Sequence, residues 1–167
     1  SHGAAGPQAL NIDPAGVIGT TATVEPRPSR PGHTLEFHFN DAVASPGNAN
    51  VFDATAMPVG FALPNAVGRV VRVDLSGVAD GSAVRVTLDG VAGATGMLNV
   101  QADIAFLAAD LGGTGRVTAA DIAAVKACIG SAMSLSPRTA TCDLDQNGTI
   151  NAADLAIAKS RAGQQLR

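Results

Sequence analysis

The sequence predicts a two-domain chain: an antiparallel all-β sandwich over residues 1–106, then a small all-α unit of paired loop–helix repeats over 107–167. Three observations predict this. Period-two alternation of apolar and polar residues recurs through the first 106 residues. A twelve-residue pattern beginning at Asp110 returns without a gap 33 residues later, at Asp143. Each copy then runs into a stretch of helical periodicity.

Along the chain, weaker strand candidates lie at 10–12, 17–24 and 51–62. Leu35, Phe37 and Phe39 alternate with Thr34, Glu36 and His38; Val71, Val73 and Leu75 alternate with Arg72 and Asp74. Val84, Val86 and Leu88 alternate with Arg85 and Thr87, and Leu98, Val100, Ala102, Ile104 and Phe106 with Asn99, Gln101 and Asp103. Such runs, bounded by Gly, Pro, Asn and Asp, read as half-buried strands. Several short strands with regular turn signals predict a sandwich of immunoglobulin-like layout. Asp80-Gly81, between two strong strands, reads as a hairpin turn. The last strand runs into Asp110 with almost no linker, so the two domains are expected to pack rigidly.

The second copy of the repeat carries the chemistry. Asp143, Asp145, Asn147, Asn151 and Asp154 put oxygen-bearing side chains at loop positions 1, 3, 5, 9 and 12, with Gly148 at position 6. A Ca²⁺ loop needs this pattern because the ion is a hard cation taking about 6–8 oxygen ligands, and glycine permits the sharp turn around it. Position 7 supplies a backbone carbonyl, so the side chain of Thr149 is unconstrained, while Ile150 points into a core. The competing interpretation is an Asx-rich surface turn. In the first copy Asp110, Gly115, Val117 and Asp121 match, but Gly112 and Thr114 replace two ligands. Asp110, Thr114, Arg116 (through its carbonyl), Thr118 and Asp121 make a weaker set, since fewer charged ligands mean weaker binding. One firm site and one weak or empty site are expected.

After the first loop Ile122, Val125 and Ile129 form one apolar helix stripe, and after the second Leu155, Ala158 and Ala162 a thinner one, with Ile157 to the side. Gly130 and Gly163 stand where helix C-caps usually sit. Asp121 and Asp154 thus close their loops from a first helical turn, where negative charge is favoured. Lys126 and Lys159, the only lysines, both fall at position 17 of their repeat. Either the pairing is inherited from duplication in a lysine-poor chain, or each is a polar anchor on an alanine-rich face. The second case offers a partner two pseudo-equivalent faces about an approximate two-fold axis.

These residues resemble a type I dockerin, over about 107–165: Asp-x-Asp-x-Asn-Gly-x-Ile-Asn-x-x-Asp-Leu from Asp143, then Lys159. The resemblance implies a calcium-dependent module of secreted bacterial proteins that docks onto a cohesin-like receptor, often tethering glycoside hydrolases to a scaffold. Its recognition positions 10 and 11, commonly hydroxylated in the family, are here Ala119-Ala120 and Ala152-Ala153. A sandwich followed by such a module resembles C-terminal regions of some bacterial secreted proteins.

Composition fits the extracellular, secreted or cell-surface setting that the resemblance implies. A net charge of −3 is too small to imply nucleic-acid or membrane attraction. No apolar run approaches the ~18 residues of a membrane span. No signal peptide is evident, so a mature or excised fragment is expected, with Ser1-His2 a fusion remnant. Cys128 and Cys142 are expected to be bridged in a secreted chain, closing a 13-residue connection and stabilising by about 3 kcal/mol. The alternative is two free thiols in a reducing compartment. No Cys/His cluster has zinc spacing.

No catalysis is indicated. The nine acidic residues of 1–106 are scattered, and His2, His33 and His38 have no nucleophile motif beside them. The leading expectation is a non-catalytic, calcium-stabilised docking or adhesion module. One alternative is a subunit that self-assembles into an extracellular filament or surface layer with copies of itself, donating a segment such as 9–13 as a strand. Another is a carbohydrate-binding accessory module; the absence of Trp and Tyr, with three of five Phe on inferred inward positions, counts against sugar stacking.

Overall fold

The alternating segments become strands in a computed structural model that describes residues 15, 17–18, 20–28, 32–131 and 137–167. The strands are β1 (Thr23–Glu25), β2 (His33–His38), β3 (Val43–Ser45), β4 (Asn48–Asp53), β5 (Phe61–Val67), β6 (Val70–Ser76), β7 (Ser82–Gly93) and β8 (Gly96–Phe106). Helices α1 (Ala119–Cys128), α2 (Pro137–Ala140) and α3 (Ala152–Ser160) follow. The candidate strand 10–12 and the candidate donor segment 9–13 lie outside the described residues.

One sheet has the order β1-β8-β7-β3, with β4 also pairing β7, and β1 runs parallel to β8. The other is antiparallel, in the order β2-β6-β5. The inward rows meet in one apolar core: Leu35, Val71, Val73 and Leu75 from the second sheet, and Val51, Val84, Val86, Leu88, Val91, Ile104 and Phe106 from the first. Burial of this contiguous apolar surface is what holds the two sheets face to face.

Four local expectations are corrected. Asp80-Gly81 is not a hairpin, because β6 and β7 belong to different sheets and the turn is a crossover between them. Both flanking strands face the same core, so their alternation cannot reveal which sheet each joins. Among the described residues of 17–24 only Thr23 and Val24 are strand; before them the N–H groups of Thr20, Thr21 and Ala22 turn back to the Val17 carbonyl. The stretch 51–62 divides into the end of β4 and the start of β5, around a turn in which Asp53 accepts the N–H groups of Thr55 and Met57. Ile129 and Ala162 are exposed, so each helix stripe is shorter than its periodicity suggested.

A second core joins the outer face of the first sheet to the loop–helix region. Val24, Ala83 and Ala105 point away from the sandwich core and are buried with Leu107, Ala109, Val117, Val125, Leu144 and Ala158. Alanine at 83 and 105 leaves room for the helices to approach. The connection itself is buried at Leu107, Ala108 and Ala109. The Leu107 and Ala109 N–H groups donate to the carbonyls of Glu25 and Pro26. Beside them Glu25 and Arg27 form a buried, two-bond ion pair with both contacts at 2.6 Å. Unpaired charges here would carry a heavy desolvation cost, and the fork geometry satisfies both.

Candidate metal centre

The chain after Cys142 wraps Asp143, Asp145 and Asp154 around one point. One carboxylate oxygen from each lies within 4.8 Å of the others, and among the described residues this is the one grouping of three or more His, Cys, Asp or Glu side chains that could hold a metal. Backbone turns bring them together. Gln146 at φ 57° and Gly148 at φ 87° put positions 4 and 6 in the left-handed region, curling the chain back on itself.

Backbone donors then fix each carboxylate. Asp143 accepts the N–H groups of Asn147 (3.2 Å) and Gly148 (2.9 Å). Asp154, fully buried, accepts those of Leu144 (2.8 Å), Asp145 (3.2 Å) and Asn151 (2.8 Å). The Asn151 side chain accepts the Ala153 N–H at 2.7 Å, so it also caps α3. Asp145 is half-buried and accepts both the backbone and side-chain N–H of Asn147. Leu144 and Ile150 are buried and anchor the loop from behind.

Burial pushes the Asp143 carboxyl above its ordinary range, and the charge of Asp154 adds to this against the N–H bonds that lower it. A hard dication among these oxygens would offset both, and the donor set (carboxylates, an amide oxygen at Asn147, a carbonyl at Thr149) is the kind calcium takes. The residues therefore fit the ion.

The first loop has the same backbone and a different chemistry. Gly113 (φ 63°) and Gly115 (φ 76°) repeat the left-handed positions 4 and 6. Asp110 accepts N–H groups of Thr114 and Gly115, and Asp121 those of Gly112 and Thr118. Burial raises Asp110. Burial opposes ionisation of Asp121 too, but the Thr118 hydroxyl with the Thr118 and Gly112 N–H groups brings its carboxyl below the ordinary range.

The repeats meet reciprocally. The Gly130 N–H donates to the Ile150 carbonyl (3.4 Å), and the Gly163 N–H to the Val117 carbonyl (2.9 Å). Donors and acceptors are each 33 residues apart, so each helix end closes on the other loop. Lys126, Lys159, Ala119, Ala120, Ala152 and Ala153 are all exposed on α1 and α3. Cys128 and Cys142 form a disulfide, with a Cα–Cα distance of 6.4 Å.

Two contacts to the β region were not legible in the sequence. The Gln146 side chain donates to the Pro28 carbonyl at 2.6 Å, and Arg161 pairs with Asp80 at 2.6 Å. Their partners lie 118 and 81 residues away, and no local pattern signals them. Among the described residues no helix is long and apolar enough to cross a membrane.

Residues 108–161 match the family model of the dockerin type I domain. The chain thus carries a dockerin-like module preceded by a β-rich region, and the match implies a protein–protein docking module of a typically calcium-binding, non-catalytic family whose partners are cohesins. No curated protein matches the chain significantly.

Proposed function

We propose that the chain is a non-catalytic extracellular docking module in which one Ca²⁺, held by Asp143, Asp145, Asn147, the Thr149 carbonyl, Asn151 and Asp154, orders the face presented to a cohesin-like receptor. The observation that carries this is the convergence of three carboxylates in the loop of a dockerin-matching segment. Lys126 and Lys159, with Ala119, Ala120, Ala152 and Ala153 beside them, form the two exposed candidate contact faces. The disulfide suits an oxidising compartment. The strand order supports an immunoglobulin-like reading of 1–106, which serves as the platform for the module at 107–167.

The test is capture of a cohesin-like receptor by the full chain in calcium, in chelator, and with Lys126→Ala/Lys159→Ala. Binding in calcium that is lost in chelator and weakened by the double variant is expected. Capture indifferent to chelator would refute the calcium-ordered face.

Self-association is a second reading with one specific observation behind it. Edge strand β5 exposes Phe61, Leu63 and Val67, an apolar row of the kind that marks interaction surfaces. Light scattering in calcium and in chelator separates the two: an increase in mass favours assembly, and a monomer throughout favours a foreign receptor.

A further inference from the structure

We infer that the first loop takes no calcium ion and that the segment 163–167, after α3, closes it instead. This rests on the calcium reading of the second loop. The two loops share their backbone, with left-handed residues at positions 4 and 6 in both. They differ in what is left to offer a cation. At position 3 Gly112 brings no oxygen. At position 5 Thr114 offers a neutral hydroxyl where the second loop has the Asn147 amide oxygen. That hydroxyl donates to the Arg116 carbonyl at 3.0 Å, and the second loop's position 7 carbonyl likewise accepts the Asn151 amide at 3.3 Å, so the loops differ in donor type rather than in this bond. The Thr118 hydroxyl, at position 9, donates to Asp121 at 2.7 Å. Arg116 also places a cationic side chain on the loop where the second loop has Thr149. Two carboxylates remain where the second loop has three.

A loop that keeps its shape without ligands needs another closure, and 163–167 supplies it. The Gly163 N–H donates to the Val117 carbonyl (2.9 Å), the Val117 N–H to the Gln164 carbonyl (2.8 Å) and the Leu166 N–H to the Gly115 carbonyl (3.0 Å). Arg116 and Gln165 pair as a β-bridge, and Leu166 packs on the second core with its side chain against Gly115. The Arg167 N–H then reaches the Gly81 carbonyl, tying this closure to the β region. The second loop is thus ordered by an ion and the first by the chain itself, so one half of the duplicated module keeps its form in chelator.

Calcium titration calorimetry on the full chain tests this. One ion per chain is expected, and a second ion lost in Asp110→Asn would overturn the inference. Grafting the second loop's residues (Gly112→Asp, Thr114→Asn, Arg116→Thr) should raise the count to two. Gly112 lies outside the left-handed region, and a Cβ there would sit 3.3 Å from Asp121 Oδ1, which a small side-chain shift relieves; a folded graft still binding one ion would refute the ligand-loss argument. Leu166→Pro, which removes the donor to Gly115, should lower Tm by the same amount in calcium and in chelator. A deficit that calcium abolishes would mean that an ion can close the first loop. Zero ions in the parent chain would instead refute the reading of the second loop, and an unchanged Tm in Leu166→Pro would refute the closure whatever the ion count.

Discussion

Asp145 and Asp154 both belong to the candidate calcium loop, yet they do different work. Asp154 is fully buried and accepts three backbone N–H groups, one of them reciprocally with the cap of α3. The Asp145 carboxylate is half-buried and accepts the backbone and side-chain N–H groups of Asn147, an exposed residue. Removing an acceptor from buried donors costs about 1–3 kcal/mol, whereas partly exposed polar contacts away from such features change stability by about 0.5 kcal/mol. Asp154→Ala should therefore destabilise the chain even in chelator. Asp145→Ala should match the parent chain in chelator and lose the stabilisation that calcium confers. Denaturation of both variants with and without calcium checks this, and equal losses in chelator would contradict it. Outside the loop, Asp103 is buried and forked by Arg85 at 2.8 and 2.7 Å, with the Ile18 N–H as a third donor. The Arg85 bonds, against the cost of burial, hold its carboxyl below the ordinary range. A depressed folded pKa contributes stability above the unfolded value, near 3.9, and that stability is lost as pH falls through the folded one. Acid unfolding of the parent chain should steepen below pH about 4, and Asp103→Asn should flatten that limb while lowering stability at neutral pH by about 1–2 kcal/mol, the low end because Arg85 is partly exposed.

At the scale of elements, the disulfide ties the last residue of α1 to the residue before Asp143 across 14 positions. Cross-linking a loop of this length is worth about 3 kcal/mol through the entropy of the unfolded chain. Cys128→Ser/Cys142→Ser should therefore lower stability by about that amount and weaken calcium binding, because the loop must then be ordered by the ion alone; unchanged affinity in a calcium titration would refute the second half. The loops with α1 and α3 were legible because most of their key residues have a local reason: glycine at position 6, Thr118 and Asn151 as N-caps with Asp121 and Asp154 completing each capping box, and apolar Val117 and Ile150 behind. The left-handed Gln146 and the short α2 have no such signal. Strands β6, β7 and β8 were legible because apolar residues face the core at every second position over Val71–Leu75, Val84–Leu88 and Ile104–Phe106, although a bulge between Leu88 and Val91 breaks the period and Leu98, read as part of the apolar row, is exposed. Strand β5 was not, because it inverts that rule. Ala62 and Ala66 pack inward while Phe61, Leu63 and Val67 face out, and Pro64 interrupts the pattern. Proline is tolerated there because β5 is an edge strand, needing ladder hydrogen bonds on one side only. The partner sheet of each strand was equally hidden, since two facing sheets read identically in an alternation.

For the whole molecule, the decisive feature is that Val24, Ala83, Ala105 and Leu107 share one apolar cluster with Val125, Leu144 and Ala158. Neither the sheet nor the helices can expose their side of that cluster without loss of burial, so the β region and the loop–helix region are expected to unfold together. Polar ties run through the same contact. Gln146, between two candidate calcium ligands, holds Pro28, and Arg161, just after α3, holds Asp80, whose other oxygen accepts the Ala108 N–H at 2.7 Å. An ion bound only by the folded state stabilises everything that unfolds with its site, by about 2.7 kcal/mol at a hundredfold excess over Kd. Calcium should accordingly protect backbone amides in β1 and β8 as strongly as those in α3. Hydrogen exchange on the full chain, in calcium and in chelator, makes the comparison directly. Protection gained in α3 alone would mean that the shared cluster opens before the sheets do, and that the module swings on a platform indifferent to calcium. Protection gained throughout would mean that the ion sets the stability of the platform as well as the shape of the docking face. Gln146→Ala should then shrink the gain in β1 more than in α3, because it removes the tie to Pro28 and leaves the carboxylates in place.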